Sequence, residues 1–140
     1  MMGEAMKKLF GVVLIAVLAA FVVGCSSESA TKDVSSGDAA YTVSANKIYA
    51  EYKANEVKAD AKYKDKVVVV NGKVTDIGKD IMDQPYVVVG GSGFLDGCQC
   101  TFADSAVGDI SGLSKGDKVS VKGKVTGYLG MVEMENCSLQ

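Results

Sequence analysis

Two segments of the sequence resemble each other closely, and this likeness constrains the fold more than any other feature. DKVVVVNGKVT occupies residues 65–75, and DKVSVKGKVT occupies residues 117–126. Each is rich in β-branched residues, which are typical of strands, and each has a glycine, Gly72 or Gly123, before its final Lys-Val-Thr. The intervening segments have no second copy, so we interpret the pair as two strands with the same geometric role in one domain. We predict that they are antiparallel neighbours, that the glycines lie where a side chain would obstruct a bend, and that the extra residue of VVVVNG forms a β-bulge.

The sequence after residue 63 predicts five strands joined by connections rich in glycine, aspartate and serine. Their predicted bounds are residues 67–77, 86–89, 98–103, 118–128 and 131–139. The longest connection, residues 104–116, joins the third strand to the fourth. Five short strands protect their edges most simply by closing into a barrel. With a helix predicted over residues 44–61, we expect a mainly β fold, a five-stranded OB-fold (Greek-key) barrel with an N-terminal α-helix.

The predicted helix contains one residue that does not fit its apolar face. Ser44 is placed to act as the N-cap, and apolar residues then recur at spacings of three and four. Asn55 is the polar member of that stripe. Because a buried polar side chain requires a partner, we predict that Asn55 is a structural residue, buried and hydrogen-bonded to backbone.

The N-terminal region has the features of an export signal. Two lysines precede an apolar run over residues 9–23, and a run of about 15 residues is short for a membrane span, which needs ~20. The run ends in Val-Val-Gly-Cys, which resembles a bacterial lipobox in which the Cys25 thiol accepts a diacylglycerol. We predict a signal peptide (1–24), a lipidated flexible tether (25–40) and an OB-fold domain (41–140). The protein is then exported and anchored to the bacterial membrane by lipid, and Ser26 favours the outer membrane if the cell is Gram-negative.

The composition excludes several kinds of chemistry. The sequence has no histidine and no arginine, which removes the commonest general base and the bidentate ligand for phosphate. From Cys25 onward, 13 lysines stand against 16 carboxylates, which argues against nucleic acid as a partner. We predict no enzyme activity, no cofactor and no metal. The function that remains is a non-catalytic binding module of the cell envelope, whose partner is a protein or a small ligand.

An alternative function uses the aromatic residues of the strands. Tyr86, Phe94, Phe102 and Tyr128 form a candidate ligand face on which bases or sugars could stack. This reading predicts single-stranded nucleic-acid or oligosaccharide binding. It requires Tyr86 and Phe102 to point outward beside lysines.

Several stretches of the chain also resemble a known family. They are Asn55, YKDKVVVVNGKV (63–74), PYVVV (85–89), CTF (100–102), LSKGDKVSVKGKV (113–125) and ENCSL (135–139). On these residues the chain resembles the tRNA_anti-like family of OB-fold domains. The resemblance implies the OB fold, a small secreted or lipid-anchored protein, and a disulfide between Cys100 and Cys137 on the neighbouring third and fifth strands. The tRNA binding that the family name suggests is not carried over, because the chain has no arginine, is acidic and has an export signal.

Cys98 is left over from the predicted disulfide, and three readings of it remain open. It is a buried free thiol, or it is an alternative disulfide partner for Cys137. In the third reading, Cys98, Cys100 and Cys137 together form a metal or redox site for a soft cation.

Overall fold

The computed structural model describes residues 38–91, 93 and 95–140, a part of the chain that contains six strands and three short α-helices. The strands are β1 (Tyr41–Ser44), β2 (Val67–Lys79), β3 (Pro85–Val89), β4 (Cys98–Thr101), β5 (Lys118–Tyr128) and β6 (Val132–Leu139). The helices are α1 (Ala45–Ala54), α2 (Glu56–Tyr63) and α3 (Val107–Ile110), the last preceded by a 3-10 turn (Asp104–Ala106). No helix within these residues is long and apolar enough to cross a membrane.

Five of these strands close into a barrel. β2 pairs with β3, and β3 with β4, in antiparallel fashion; β4 then pairs in parallel with β6. β6 is antiparallel to β5, and β5 returns to β2 and completes the ring. The predicted mainly β, five-stranded OB-fold barrel with helical structure N-terminal to it is confirmed.

The predicted N-terminal helix is two helices that meet at Asn55. The Asn55 backbone is extended, with φ −162°, and ends α1; its side-chain Oδ1 accepts a hydrogen bond of 3.0 Å from the Lys58 N–H and begins α2. The predicted hydrogen bond to backbone is present, but the predicted burial is wrong, because Asn55 is exposed. A side chain that caps the first turn of a helix satisfies a free N–H from outside the core.

The two similar segments lie in β2 and β5, which are antiparallel neighbours as predicted, with Gly72 opposite Val119 and Gly123 opposite Val68. The predicted bulge in VVVVNG is wrong, since the β2–β5 register is continuous. Register shifts occur instead between Val74 and Asp76, where β2 pairs with β3, and on β5 where it pairs with β6. Each long strand bends where it takes up a second partner, and the irregularity falls there.

Both glycines are placed where a side chain would obstruct packing. A Cβ at Gly123 would lie 2.5 Å from Cys137 Sγ, and one at Gly72 would lie 3.0 Å from Val89 Cγ1. The strands around them contribute alternate valines to a continuous core. Tyr52 of α1 is buried against the barrel and stacks on Tyr128 of β5, with ring centroids 5.6 Å apart.

Candidate functional site

The structure does not bring the predicted aromatic face together. Phe102 is 2% exposed and belongs to the core, while Tyr128 packs on Tyr52 of α1. Tyr86 is half-buried, and its hydroxyl donates a 3.1 Å hydrogen bond to Asp76 Oδ2. Phe94 lies outside the described residues. The prediction that both Tyr86 and Phe102 point outward is therefore wrong for Phe102, whose side chain completes the barrel interior.

An acidic row crosses the outer side of the sheet beside Tyr86. Cross-strand pairing aligns Asp76, Val88, Gln99 and Glu133 on β2, β3, β4 and β6. Lys115 Nζ lies 3.1 Å from Asp76 Oδ1, and its hydrogen bond to this carboxylate is the main reason that the pKa of Asp76 is lowered. Burial, and next the charge of Glu135, raise the pKa of Glu133. Carboxylates at both ends of this row make it a poor surface for a polyanion.

The other side of the barrel carries lysines. Along the β2–β5 ladder, Val67 is opposite Lys124, Val69 opposite Lys122, Asn71 opposite Ser120, and Lys73 opposite Lys118. Side chains two residues apart on a strand share a face, and the residues between them, such as Val68, Val70 and Val121, are buried in the core. We call the outward set Lys73, Lys118, Lys122 and Lys124 the lysine face.

Most of the charge on the lysine face is unneutralised. Lys124 Nζ lies 3.8 Å from Asp65 Oδ1, and within the described part of the chain Lys73, Lys118 and Lys122 make no ion pair. Lys73 and Lys118 are direct cross-strand partners, and like charges in this arrangement destabilise a sheet. Uncompensated charge of one sign favours a ligand of the opposite sign.

An open groove of about 620 Å³ lies at the Lys73–Lys118 end of this face. Asn71 and Ser120 form a polar pair on its wall, in which the Ser120 hydroxyl donates to Asn71 Oδ1. Among the described residues that line the groove, none has a carboxylate side chain. Its remaining lining residues are Gly72, Leu113, Val119, Leu139 and Gln140. The groove can hold an anionic group between the ammonium groups of Lys73 and Lys118, beside apolar side chains. The Ser120 hydroxyl is hydrogen-bonded to the Asn71 amide and not to a general base.

Cys98, Cys100 and Cys137 are buried free thiols, so the predicted Cys100–Cys137 disulfide is not formed in the structure. Cys100 pairs with Met134, three positions before Cys137, and the positive φ of 51° at Asn136 turns β6 so that Cys137 faces inward again. Interaction with the neighbouring Cys137 side chain, and next burial, raise the pKa of the Cys100 thiol. The pairing therefore stays a prediction, which applies to the oxidising compartment that the predicted export signal implies.

The third cysteine is also accounted for by packing. Burial raises the pKa of Cys98, whose Sγ lies 4.0 Å from the carbonyl oxygen of Ala45. Within the residues that the structure describes, no group of three or more cysteine, aspartate or glutamate side chains is arranged to hold a metal ion. The three-cysteine metal site is therefore not supported. The remaining predicted site residue, Cys25, lies outside the described residues.

The lysine face was missed in the sequence because only the net charge of the chain was considered, and not the positions of the lysines along the strands. The signal is present in KVSVKGK, residues 118–124, where three lysines occur at even spacings. Even spacing on a strand puts side chains on one face. Lys73 joins them only through the β2–β5 register, which a pattern in one segment does not reveal.

The chain is similar to one protein family and to two solved structures. A sequence profile of the family described as tRNA_anti-like matches residues 1–139. A lipoprotein from Klebsiella pneumoniae subsp. pneumoniae, described as a proposed nucleic acid-binding protein, has a similar structure, with a TM-score of 0.59 and 22% sequence identity over 71% of this chain and 90% of that one. An OBody bound to hen egg-white lysozyme gives a TM-score of 0.44 and 22% identity over 56% of this chain and 81% of that one. No curated protein sequence matches the chain.

Proposed function

The chain belongs to the tRNA_anti-like family of OB-fold domains, and we propose that it is a non-catalytic binding module held at the bacterial cell envelope by a lipid on Cys25. The observation that carries the proposal is the lysine face with its groove. Lys73 and Lys118 have no ion-pair partner among the described residues, and no carboxylate side chain lines the cavity between them. This arrangement supports reversible binding of an anionic ligand or partner rather than catalysis, because the groove offers no nucleophile bonded to a base.

The proposed anchor rests on the sequence. The apolar run ends at Gly24-Cys25 and is followed by the small, polar residues 26–40, which are suited to a flexible tether. A protein of similar fold from Klebsiella pneumoniae is called a lipoprotein, which supports the same arrangement here. Several acyl chains on one residue hold a protein at a membrane, since each buried methylene contributes about 0.8 kcal/mol.

Metabolic labelling tests the anchor. Bacterial cells that produce the full chain are grown with an alkyne fatty acid, and labelled protein is detected after membrane fractionation. We expect wild-type protein to carry the label and to sediment with membranes, whereas Cys25→Ser loses both properties. Cys98→Ser is the matched control, because it removes a buried thiol and leaves the lipobox intact. Labelling of Cys25→Ser at the wild-type level would contradict the proposal.

A second candidate function is single-stranded nucleic-acid binding. The lysine face and the description of the Klebsiella protein favour it. Against it stand the burial of Phe102, the acidic row and the absence of arginine. Titration of the full chain with fluorescent single-stranded oligonucleotides at several salt concentrations decides between the two functions. The nucleic-acid function requires binding that weakens steeply with salt and is lost in Lys73→Gln/Lys118→Gln.

A further inference from the structure

We propose that the lysine face docks on anionic lipid in the same membrane that carries the anchor. This inference rests on the proposed function, because the lipid on Cys25 is what brings the domain to that membrane. It names the anionic partner of the lysine face. Four observations carry it: the unneutralised lysines, the point where the tether joins the domain, the position of the acidic row, and the other side chains of the face.

Charge complementarity is the first observation. Lys73, Lys118 and Lys122 project from one face and form no ion pair with any described residue, while Lys124 is held only loosely by Asp65 at 3.8 Å. A negative membrane surface attracts basic residues, and each lysine that reaches it increases the affinity of the protein for the membrane by roughly fivefold. Three lysines on one rigid face can act together, since the sheet fixes their spacing.

The entry point of the tether is the second observation. The Ala40 N–H donates a 2.8 Å hydrogen bond to the Val67 carbonyl, and β1 then pairs with β2 along one edge of the lysine face. Thr42, Val69 and Lys122 lie in one cross-strand row. A random-coil segment of about 15 residues, the length of the proposed tether, has a root-mean-square end-to-end distance of about 20 Å. An anchor at Cys25 therefore keeps this edge of the barrel close to the lipid surface.

The acidic row is the third observation. Around the barrel the strand order is β2, β3, β4, β6 and β5, so β4 is the strand farthest from the β2–β5 ladder. Gln99 of β4 lies in the row that ends in Asp76 and Glu133. When the lysine face meets an anionic surface, β4 is turned away from it. The two carboxylates of the row lie on β2 and β6: Asp76 is beyond the ladder and 3.1 Å from Lys115 Nζ, and Glu133 is on β6. The row therefore adds no carboxylate to the β2–β5 ladder that carries the lysine face.

The side chains between the lysines favour lipid over nucleic acid. On the same side of the β2–β5 ladder, Val67, Val69, Asn71 and Ser120 lie among the lysines, and none of these side chains can stack on a base. Thr42 and Ser44 of β1 are exposed beside them and add hydroxyl groups. Lysines among hydroxyl groups and short aliphatic side chains are suited to a surface of lipid phosphate headgroups. Binding to such a surface needs no side chains that recognise individual bases.

Lysine reactivity on vesicles tests the docking. The acylated, full mature protein is bound to phosphatidylcholine vesicles with or without phosphatidylglycerol, recovered by flotation, and treated with an acetylating reagent before mass spectrometry. We expect the four residues of the lysine face, Lys73, Lys118, Lys122 and Lys124, to react several-fold more slowly on the anionic vesicles than on the neutral ones, and high salt to remove the difference. The exposed helix residues Lys47, Lys53 and Lys58 are internal controls, whose reactivity stays the same on both.

A matched pair of variants makes the test specific. Lys73→Gln/Lys118→Gln/Lys122→Gln and Lys47→Gln/Lys53→Gln/Lys58→Gln change the net charge equally, and only the first alters the lysine face. The protection of Lys124 on anionic vesicles is expected to disappear in the first variant and to persist in the second. Equal loss in both variants would show that net charge alone acts and would overturn the docking.

The outcomes separate the inference from the function on which it rests. Protein that floats with neither vesicle contradicts the anchor, and the docking with it. Protein that floats with both vesicles, with all lysines equally reactive, contradicts the docking alone. If a single-stranded oligonucleotide protects these lysines on neutral vesicles and phosphatidylglycerol does not, the face is a nucleic-acid site and the docking is overturned.

Discussion

Lys73 and Lys118 face each other at one end of the β2–β5 ladder, and neither has an ion-pair partner among the residues that the structure describes. Two ammonium groups in direct cross-strand register weaken a sheet. From Cys25 onward the sequence has more carboxylates than lysines, so carboxylates to pair with these lysines are not scarce. The arrangement therefore indicates a surface that serves binding at the expense of stability.

Replacing one member of this pair is expected to stabilise the fold. Lys118→Glu puts a carboxylate opposite Lys73 and should raise the free energy of unfolding by about 0.2–1 kcal/mol. Urea denaturation measures the change. The control is Lys122→Glu, because Lys122 is opposite Val69 and gains no partner there. A Lys118→Glu protein no more stable than Lys122→Glu would contradict the account of the pair.

Gly123 is predicted to be intolerant of any side chain. A Cβ there would lie 2.5 Å from Cys137 Sγ and 3.1 Å from the Glu135 carbonyl oxygen. Overpacking of this kind costs roughly 1–3 kcal/mol, so Gly123→Ala should lower the urea midpoint. Adding Cys137→Ala should restore part of the loss.

The matched control for Gly123 is Gly108. Gly108 lies in α3, and apart from its chain neighbours and the backbone of its own helix no atom of the described residues lies within 4 Å of the position that an added methyl group would take. Gly108→Ala should therefore be neutral or slightly stabilising. Equal stabilities of the two alanine variants would show that Gly123 is not held by packing.

The strands were predictable because the inward-facing residues of each long strand include valines at alternate positions of the sequence. What could not be predicted depends on contacts between segments. β1 has only four residues, and the stripe of the first helix continues through Asn55, so neither the strand nor the helix break is visible locally. The burial of Phe102 and the grouping of Lys73 with Lys118 follow from barrel closure and register, which no single segment contains.

Asn55 is predicted to stabilise the protein through its cap. Asn55→Ala removes the acceptor of the Lys58 N–H and should cost about 0.5–2 kcal/mol. Asn55→Asp keeps the acceptor and should cost much less. Thermal denaturation followed by circular dichroism measures both variants. The capping account fails if alanine and aspartate are equivalent at this position.

Tyr49 is predicted to make stability sensitive to alkaline pH. Its hydroxyl donates a 2.8 Å hydrogen bond to Asp96 Oδ1, and this bond, followed by burial, raises the pKa of Tyr49 from 10.0 to about 12. The folded state thus favours the protonated phenol. The resulting stabilisation is complete below pH 10 and is lost as the pH rises towards 12.

Replacing Tyr49 by phenylalanine removes the phenol group that titrates. Tyr49→Phe should be less stable than wild type at neutral pH, and the difference should shrink above pH 10. Urea denaturation of both proteins across this range measures it. A difference that grows with pH would contradict the assigned direction of the shift.

The cysteine pair is predicted to be oxidised after export. Cys100 and Cys137 are both buried, and the Cys137 side chain is close enough to raise the pKa of Cys100, while Cys98 Sγ lies 4.0 Å from the Ala45 carbonyl oxygen. Non-reducing peptide mapping of protein taken from the envelope should show a Cys100–Cys137 disulfide and a free Cys98. The same map of protein made in a reducing cytoplasm should show three free thiols. A Cys98–Cys137 linkage, or three free thiols in the exported protein, would contradict the prediction.

The central claim is that an anchored barrel binds through its lysine face, and nuclear magnetic resonance of the acylated protein in nanodiscs tests it most directly. A spin-labelled lipid attenuates the amide signals of residues near the membrane. With phosphatidylglycerol present, we predict stronger attenuation along Lys118–Tyr128 of β5 than along Cys98–Thr101 of β4, and loss of this difference in Lys73→Gln/Lys118→Gln/Lys122→Gln. Equal attenuation of the two strands, or stronger attenuation of β4, would contradict the account.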